Sequence, residues 1–349
     1  MARAPNMQLA YDAWPEEDRK RWSAANKPGA DPFDDCGGAA HLADTSRRAL
    51  QASYGRVLGF LAAKHPLLLD RPPEARLDRK MIEQYVAFRR PSCSESAIAT
   101  DLHHLRLALG FICPTADWSW LRAIIKRIAA QAVRKPERYH LVTSEQLYAL
   151  GLGLMDRAIA NASESAHAAK ECALDYRDGL IIAFLALIPL RRRTLAALRI
   201  GKHLVKSGEL WSLDIPAEDN KTKRPLEYEI SAHLSGRIDL YVAQYRSRIA
   251  GAAAHDGLWA CNFGRPMDAG TIYDMVRRRT REAFGRPVNL HRFRHAAASL
   301  WSSQDPANVR GAKDLLGQAS FGTTERHYIM AQSRIAGRAL AHAVEKVRK

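Results

Sequence analysis

The chain has 349 residues, and 53 Lys and Arg against 37 Asp and Glu give it a net charge of +16. A positive field of this size favours a polyanion such as nucleic acid, although a basic enzyme of another class would have the same composition. The five cysteines are scattered without metal-ligand spacing, which indicates reduced thiols in a cytosolic protein. The N-terminus has no signal-peptide core, and the longest apolar run, residues 179–190, is too short to cross a bilayer, so no membrane contact is expected.

Proline, glycine and charge divide the chain into an arm, two domains and a linker. Residues 1–40 are polar and broken by proline and glycine, which predicts a weakly structured arm. Residues 41–133 carry apolar side chains at helical spacing and predict a small helical bundle. Residues 134–140 combine proline with charge and predict a linker to a second domain at 141–349. Within the bundle, helices are expected over residues 45–65, 81–90, 94–111 and 118–133.

The second domain is predicted to be mostly helical with one hairpin. Its first helix opens on Thr143-Ser-Glu-Gln146, which has the residue types of a capping box. Residues 209–215 and 226–230 alternate apolar and polar side chains, which predicts two paired strands. Helical spacing returns after residue 235, apart from the loop at 262–267. The expected fold class is therefore mainly α with a small antiparallel β-sheet (α+β).

Two basic segments of the second domain have the chemistry to contact phosphate. Arg191 follows a nearly uncharged helix that ends at Pro189, where its guanidinium could present two donors to one phosphate. The alternative is that residues 191–193 form a solvated basic cluster. Lys221 is placed at the hairpin bend, where it could protonate a leaving oxygen. Turns are ordinarily charged, however, and Lys223 is an equally good candidate by composition.

The C-terminal part brings an imidazole, a guanidinium, an amide and a phenol into one short stretch. His291 and Arg294 are three residues apart, which places them on one face of a helix. His295 falls on another face, where a core histidine is the commoner role. Gln318 follows a predicted helix stop and has a turn role as its alternative. The phenol of Tyr328 could attack phosphorus and be held as an ester, although an isolated tyrosine is more often structural.

The order of these motifs resembles the tyrosine recombinase (phage integrase) family. Pro-Leu-Arg-Arg-Arg-Thr-Leu at 189–195 precedes the lysine hairpin, and His-Arg-Phe-Arg-His follows at 291–295. Leu-Leu-Gly-Gln at 315–318 and Thr-Thr-Glu-Arg-His-Tyr at 323–328 complete the series. The likeness covers roughly residues 141–349. It implies a helical core DNA-binding domain at 41–133 and a tyrosine-recombinase catalytic domain with a C-terminal helix.

The resemblance also implies roles for individual residues. Lys221 is preferred to Lys223 because it stands at the matching distance before the second strand. The implied catalytic residues are Arg191, Lys221, His291, Arg294, Gln318 and Tyr328. The basic residues expected to contact DNA are Arg122, Lys126, Arg127, Arg192 and Lys223.

Several positions depart from the family pattern. Gln318 stands where the family has His or Trp, and an amide can donate a hydrogen bond but cannot be protonated. Pro189 replaces the usual Gly, and Thr194 replaces the usual Glu. The interval from Gln318 to Tyr328 is one residue longer than the commonest form, which affects the placement of the phenol. None of these changes removes an obligatory charge.

By this resemblance the chain is expected to be a site-specific DNA recombinase, an integrase of a mobile genetic element. Tyr328 would form a 3′-phosphotyrosine intermediate while Arg191 and Arg294 hold the phosphate and Lys221 protonates the leaving oxygen, and strand exchange would pass through a Holliday junction. No metal or other cofactor is expected. The implied partners are double-stranded DNA, a homotetramer on that DNA, and DNA-bending or directionality factors. The expected location is the cytoplasm, at the bacterial nucleoid.

Two alternatives use the same residues differently. A type IB topoisomerase-like enzyme would share the chemistry but relax supercoils as a monomer without a specific site. A catalytically weakened DNA-binding accessory protein would keep the basic surfaces and lose cleavage, with Gln318 as its first sign.

Overall fold

The computed structural model of the chain describes residues 7–31, 33, 35–132, 142–161, 165–221 and 223–304. Contacts within the chain divide it into two units, Met1–Glu137 and Arg138–Lys349. The linker predicted at 134–140 lies outside the described residues, and so do the helices predicted beyond residue 304.

The N-terminal unit is a bundle of helices, and those from α2 onward form where the apolar spacing predicts them. They are α1 (Glu16–Ala25), α2 (Asp44–Lys64), α3 (Arg79–Arg89), α4 (Glu95–Ile112) and α5 (Ser119–Gln131). Ser94 caps α4, because its hydroxyl accepts a hydrogen bond from the backbone N–H of Ala97 at 3.3 Å. Helix α4 packs against both α2 and α5. The core between them contains the buried side chains Leu58, Leu61, Ile98, Leu102, Leu105 and Leu121.

Helix α1 falls in the region where a weakly structured arm was expected. Trp14 and Trp22 are buried in the core of the unit, and Asp18 is completely buried. The Asp18 carboxylate accepts hydrogen bonds from the Tyr54 hydroxyl and from Arg76 Nη1, the latter at 2.6 Å. The polar composition of residues 1–40 is misleading here, since two tryptophans and one buried ion pair attach residues 14–25 to the bundle.

Along the chain of the C-terminal unit, helices come before and after a small β-sheet. The helices are α6 (Ser144–Ala160), α7 (Ala166–Leu187), α8 (Arg192–Ala196), α9 (Ala232–Leu240), α10 (Ala269–Phe284) and α11 (Leu290–Gln304). The strands are β1 (Leu204–Ser207), β2 (Leu210–Ile215) and β3 (Leu226–Glu229).

The sheet is antiparallel in the order β1-β2-β3. Strands β2 and β3 pair with Leu213 opposite Tyr228, which confirms the predicted hairpin. Strand β1 was not predicted; it is four residues long, and three of its side chains are exposed, so it has no apolar alternation to reveal it. The chain is mainly α with a small antiparallel sheet, and the predicted fold class is confirmed.

Helices α6 and α7 cross at a contact between their backbones. The predicted capping box starts α6, with Thr143 Oγ1 accepting from Gln146 N–H at 3.3 Å and Gln146 Oε1 accepting from Thr143 N–H at 3.0 Å. At the crossing, a Cβ added to Gly151 would lie 2.6 Å from the carbonyl oxygen of Gly179. Only glycine permits this approach, which holds α7 close to its neighbour.

A buried ionic cluster joins α7 to α10. Asp178 is completely buried and accepts hydrogen bonds from Arg177 Nη2 at 2.6 Å and from Arg279 Nε at 2.9 Å. Arg278 reaches the same carboxylate at 3.3 Å. Arg177 also donates to the carbonyl of Ala260 at 2.7 Å. One carboxylate thus neutralises part of a dense positive charge and holds α7 against α10.

Replacing Asp178 by Asn should destabilise the C-terminal unit. The guanidinium groups would keep their charges and lose their carboxylate, and breaking a buried pair in this way costs about 3–5 kcal/mol. Urea unfolding of the full chain measures the change. Asp274→Asn removes the same charge from an exposed position on α10 and serves as the control. Equal shifts for the two variants would contradict a structural role for the buried cluster.

Candidate functional site

The side chain of Arg294 is fixed against the segment that leads to Arg191. Helix α11 begins at Leu290, and the completely buried Phe293 anchors its first turn in the core. Arg294 is 8 % exposed, and its Nη1 donates a hydrogen bond to the backbone carbonyl of Pro189. Pro189 is two residues before Arg191, so this bond joins the two arginine segments that the sequence analysis singled out.

Arg191 stands at the N-cap position of the short helix α8 and is half-buried. Burial lowers the pKa of Arg294 to about 10, and the positive charge of Arg191 adds to that effect. A pKa near 10 still leaves Arg294 protonated at neutral pH, so both guanidinium groups are charged. The site therefore presents two positive charges close together, which favours an oxyanion such as phosphate.

Tyr228 is a third member of this cluster and was not among the predicted site residues. It lies on β3 and is half-buried. Burial raises its pKa, while the positive charges of Arg294 and Arg191 act in the opposite direction. The raised pKa keeps the phenol neutral near pH 7, where it can donate a hydrogen bond. The alternation of apolar and polar residues identified Tyr228 only as a strand residue. No feature of the neighbouring sequence indicated that β3 lies beside the arginines.

His291 lies one turn before Arg294 on α11, as the spacing predicts. Its side chain is exposed, and its ring meets the half-buried ring of His295 edge to face with 4.5 Å between centroids. The imidazole is thus on the helix that carries the buried guanidinium and remains accessible from solvent.

Lys221 is exposed in the turn between β2 and β3. A 3₁₀ turn, Ala217–Asp219, leads into it. Lys223 is exposed in the same turn and has a φ of 53°, in the left-handed region. The hairpin that carries both lysines continues into β3, on which Tyr228 lies.

The other predicted contacts are distributed over both units. Arg122, Lys126 and Arg127 are exposed on α5 of the N-terminal unit. Arg192 is exposed at the start of α8, and its guanidinium lies 5.3 Å from the centroid of the Tyr273 ring. Arg277 lies 5.2 Å from the same centroid and was not predicted. Gln318 and Tyr328 lie outside the described residues, so their roles stay predictions.

Among the described residues, no group of three or more His, Cys, Asp or Glu side chains could hold a metal ion. The described helices include none that is long and apolar enough to span a membrane.

Comparison with solved structures identifies the fold. The chain is similar to the XerH site-specific recombinase bound to difH substrate in a pre-cleavage complex, with a TM-score of 0.59 and 14 % identity over 92 % of this chain and 94 % of that one. A post-cleavage complex of XerH with palindromic difH gives a TM-score of 0.58 and 14 % identity over 95 % and 96 %. No protein-family model matches the sequence, and neither does any curated protein. The chain therefore has the tyrosine-recombinase fold over nearly its whole length.

An oxyanion should stabilise the chain through the arginine pair. Bound sulfate would offset the repulsion between Arg191 and Arg294, and an anion at ten times its Kd adds about 1.4 kcal/mol of stability. At matched ionic strength, thermal unfolding should occur at a higher temperature in sulfate than in chloride, and Arg191→Ala should lose most of this difference.

Arg199→Ala is the matched control for that measurement. Arg199 is an exposed arginine of the same unit, and its Nη1 lies 3.3 Å from Asp256 Oδ2. Because sulfate also stabilises proteins by exclusion from their surfaces, only the difference between the variants is informative. An undiminished sulfate effect in Arg191→Ala would contradict an anion site at the pair.

Proposed function

We propose that the chain is a site-specific DNA recombinase that cuts and rejoins DNA strands by transesterification at a tyrosine. The observation that carries the proposal is the convergence of Arg191 and Arg294, because two charged guanidinium groups at one place suit a single phosphodiester. The fold gives independent support, since the XerH structures that share it are complexes with a DNA substrate before and after cleavage.

In this proposal the arginine pair stabilises the transition state. Negative charge builds on the non-bridging oxygens as phosphorus becomes pentavalent, and fixed donors aimed at those oxygens lower the barrier. The hydrogen bond from Arg294 to the carbonyl of Pro189 holds one guanidinium in place before the DNA arrives. Loss of one such donor typically raises the barrier by about 3 kcal/mol. The neutral phenol of Tyr228 supplies a further donor beside the pair.

The remaining roles follow the chemistry of a phosphodiester exchange. The phenolic oxygen of Tyr328 attacks phosphorus, and a 3′-phosphotyrosine bond forms as the bond to the 5′ oxygen breaks. Lys221 gives its proton to that leaving oxygen. His291 assists the removal of the phenolic proton, and Gln318 donates a hydrogen bond to the phosphate. Attack by a 5′ hydroxyl from the partner duplex reverses the step and leads through a Holliday junction to recombinant DNA.

Double-stranded DNA is the proposed partner of both units. The exposed Arg122, Lys126 and Arg127 contact its backbone from the helical domain at 41–133, which positions the protein without reading sequence. Arg192 and Lys223 contact it from the catalytic domain at 141–349. Two duplexes present four strands, so the active assembly is a homotetramer on DNA, with DNA-bending or directionality factors as further partners. The protein then acts in the cytoplasm, at the nucleoid.

Covalent trapping on a nicked duplex tests this proposal. The duplex carries a site selected from a random pool by its binding to the protein, and loss of the short 5′-hydroxyl fragment prevents religation. Wild-type protein should form a covalent adduct, and Tyr328→Phe should abolish it by removing the nucleophile. Tyr228→Phe is the matched control, because it removes a hydroxyl beside the arginines that is not the nucleophile, so it should slow formation of the adduct without abolishing it.

The other outcomes identify the alternatives. Relaxation of supercoiled plasmid without regard to sequence would indicate a type IB topoisomerase-like enzyme. Tight DNA binding without any adduct would indicate an accessory protein that has lost cleavage. An adduct that survives in Tyr328→Phe and disappears in Tyr228→Phe would show that the nucleophile was assigned to the wrong tyrosine.

A further inference from the structure

The turn that carries Lys221 is attached to the body of the unit through Asp219. The Asp219 carboxylate accepts hydrogen bonds through Oδ2 from Lys202 Nζ at 2.7 Å and from His203 Nε2 at 2.9 Å. The hydrogen bond from Lys202 contributes most, and together with that from His203 it lowers the pKa of Asp219 to about 2, so the group is a carboxylate at any pH at which DNA cleavage would be assayed. Asp219 is only two residues from Lys221.

His203 is a fixed point for this contact. Its side chain is buried, with 3 % of the residue exposed. The backbone N–H of Arg199 donates to Nδ1 at 3.2 Å, so the ring proton is on Nε2 and points to Asp219. The backbone carbonyl of His203 accepts from the N–H of Asp214 at 2.8 Å, which ties the residue to β2. A rigid donor therefore holds the base of the turn.

Asn220 closes the turn from the inside. It is 2 % exposed, and its Nδ2 donates to the carbonyl of Arg224 at 2.7 Å. Its own carbonyl accepts from the N–H of Lys223 at 2.9 Å, which accompanies the left-handed backbone at Lys223. Lys221 thus follows directly on two residues whose side chains are both held, while its own side chain is exposed.

We propose that His203 and Asp219 are positioning residues that hold the turn so that Lys221 can protonate the 5′ oxygen. The inference rests on the proposed recombinase function. A lysine on a surface turn has four rotatable bonds and a mobile backbone, and fixing the backbone removes part of the entropy lost when the ammonium group reaches the reacting bond. The acceptor is a charged carboxylate and the contact is partly shielded from water, which makes the hydrogen bond strong.

The competing explanation is that the contact only stabilises the end of the sheet. The two explanations differ in which step of the chemistry they affect. A positioning role acts through the leaving oxygen alone, because Lys221 supplies its proton. If the bridging 5′ oxygen is replaced by sulfur, a thiolate leaves without needing a proton, since the pKa of a thiol is about 8.5. A defect that acts through Lys221 should then disappear, whereas a structural defect should remain.

The experiment measures cleavage rates on two otherwise identical nicked duplexes, one with a 5′ oxygen and one with a bridging 5′ sulfur. Lys221→Ala should lose about 10²-fold or more on the oxygen substrate and recover on the sulfur substrate. Asp219→Ala and His203→Leu should lose about ten-fold or more on oxygen and come within about two-fold of wild type on sulfur. His203→Gln keeps an amide donor near the position of Nε2 and should retain most of the oxygen rate.

Asp239→Ala is the matched control. Asp239 accepts from Lys206 Nζ at 2.8 Å and from Trp211 Nε1 at 2.9 Å, so it is also a carboxylate that holds a lysine next to the sheet, but it lies away from the turn. Its rate should stay within about two-fold of wild type on both substrates. If His203→Leu does not fold, Asp219→Ala decides the question, because that side chain is partly exposed.

Four results would overturn the proposal, and they separate it from the recombinase assignment. Equal losses on oxygen and sulfur would assign the contact to stability, and an unchanged oxygen rate would remove any role in cleavage. Failure of sulfur to rescue Lys221→Ala would place the proton donor elsewhere while leaving the recombinase proposal intact. Failure of the wild type to cleave either duplex would remove both proposals together.

Discussion

The hydrogen bond from Arg294 to the carbonyl of Pro189 is the contact on which the site depends. It holds a buried cation beside Arg191, where desolvation and like-charge repulsion both disfavour the guanidinium, as the lowered pKa shows. A folded protein tolerates such an arrangement when the surrounding structure fixes it and a ligand of opposite charge relieves it. Phosphate is that ligand in the proposed reaction, and it meets donors that need no reorganisation.

The scaffold around the pair explains why the two charges do not move apart. Helix α7 runs up to the Pro189 segment and is packed backbone to backbone on α6 at Gly151 and Gly179. The neighbouring residue, the buried Asp178, joins α7 to α10 through Arg279. Helix α7, which leads into the segment before Arg191, is therefore held by two neighbours, through a glycine crossing and through a buried ionic cluster.

Local patterns predicted those parts of the fold that depend on near neighbours in sequence. The capping box at Thr143 and Gln146 and the paired strands β2 and β3 were predicted correctly, because side-chain chemistry and alternation determine them. Helix α1 was not, since Trp22 and Asp18 acquire their partners only after the bundle assembles. Tyr228 illustrates the same limit at the site. Its neighbours Arg191 and Arg294 come from distant segments, and no short window of sequence contains that information.

The chemistry is divided between elements of different rigidity. The proposed anion-binding charges come from segments packed on the core, whereas the proposed proton donor Lys221 comes from a turn at the surface. The transition state needs the arginine charges and the lysine proton at the same time. If the turn moved freely, the fixed arginine pair alone would not lower the barrier to strand cleavage as far. The hairpin restrains this turn at both ends. Its strand β3 places Tyr228 beside the arginines, and its strand β2 is hydrogen-bonded to the backbone of His203. The contact between His203 and Asp219 then links the lysine turn to the same sheet that borders the proposed phosphate site, so one antiparallel register sets the position of both.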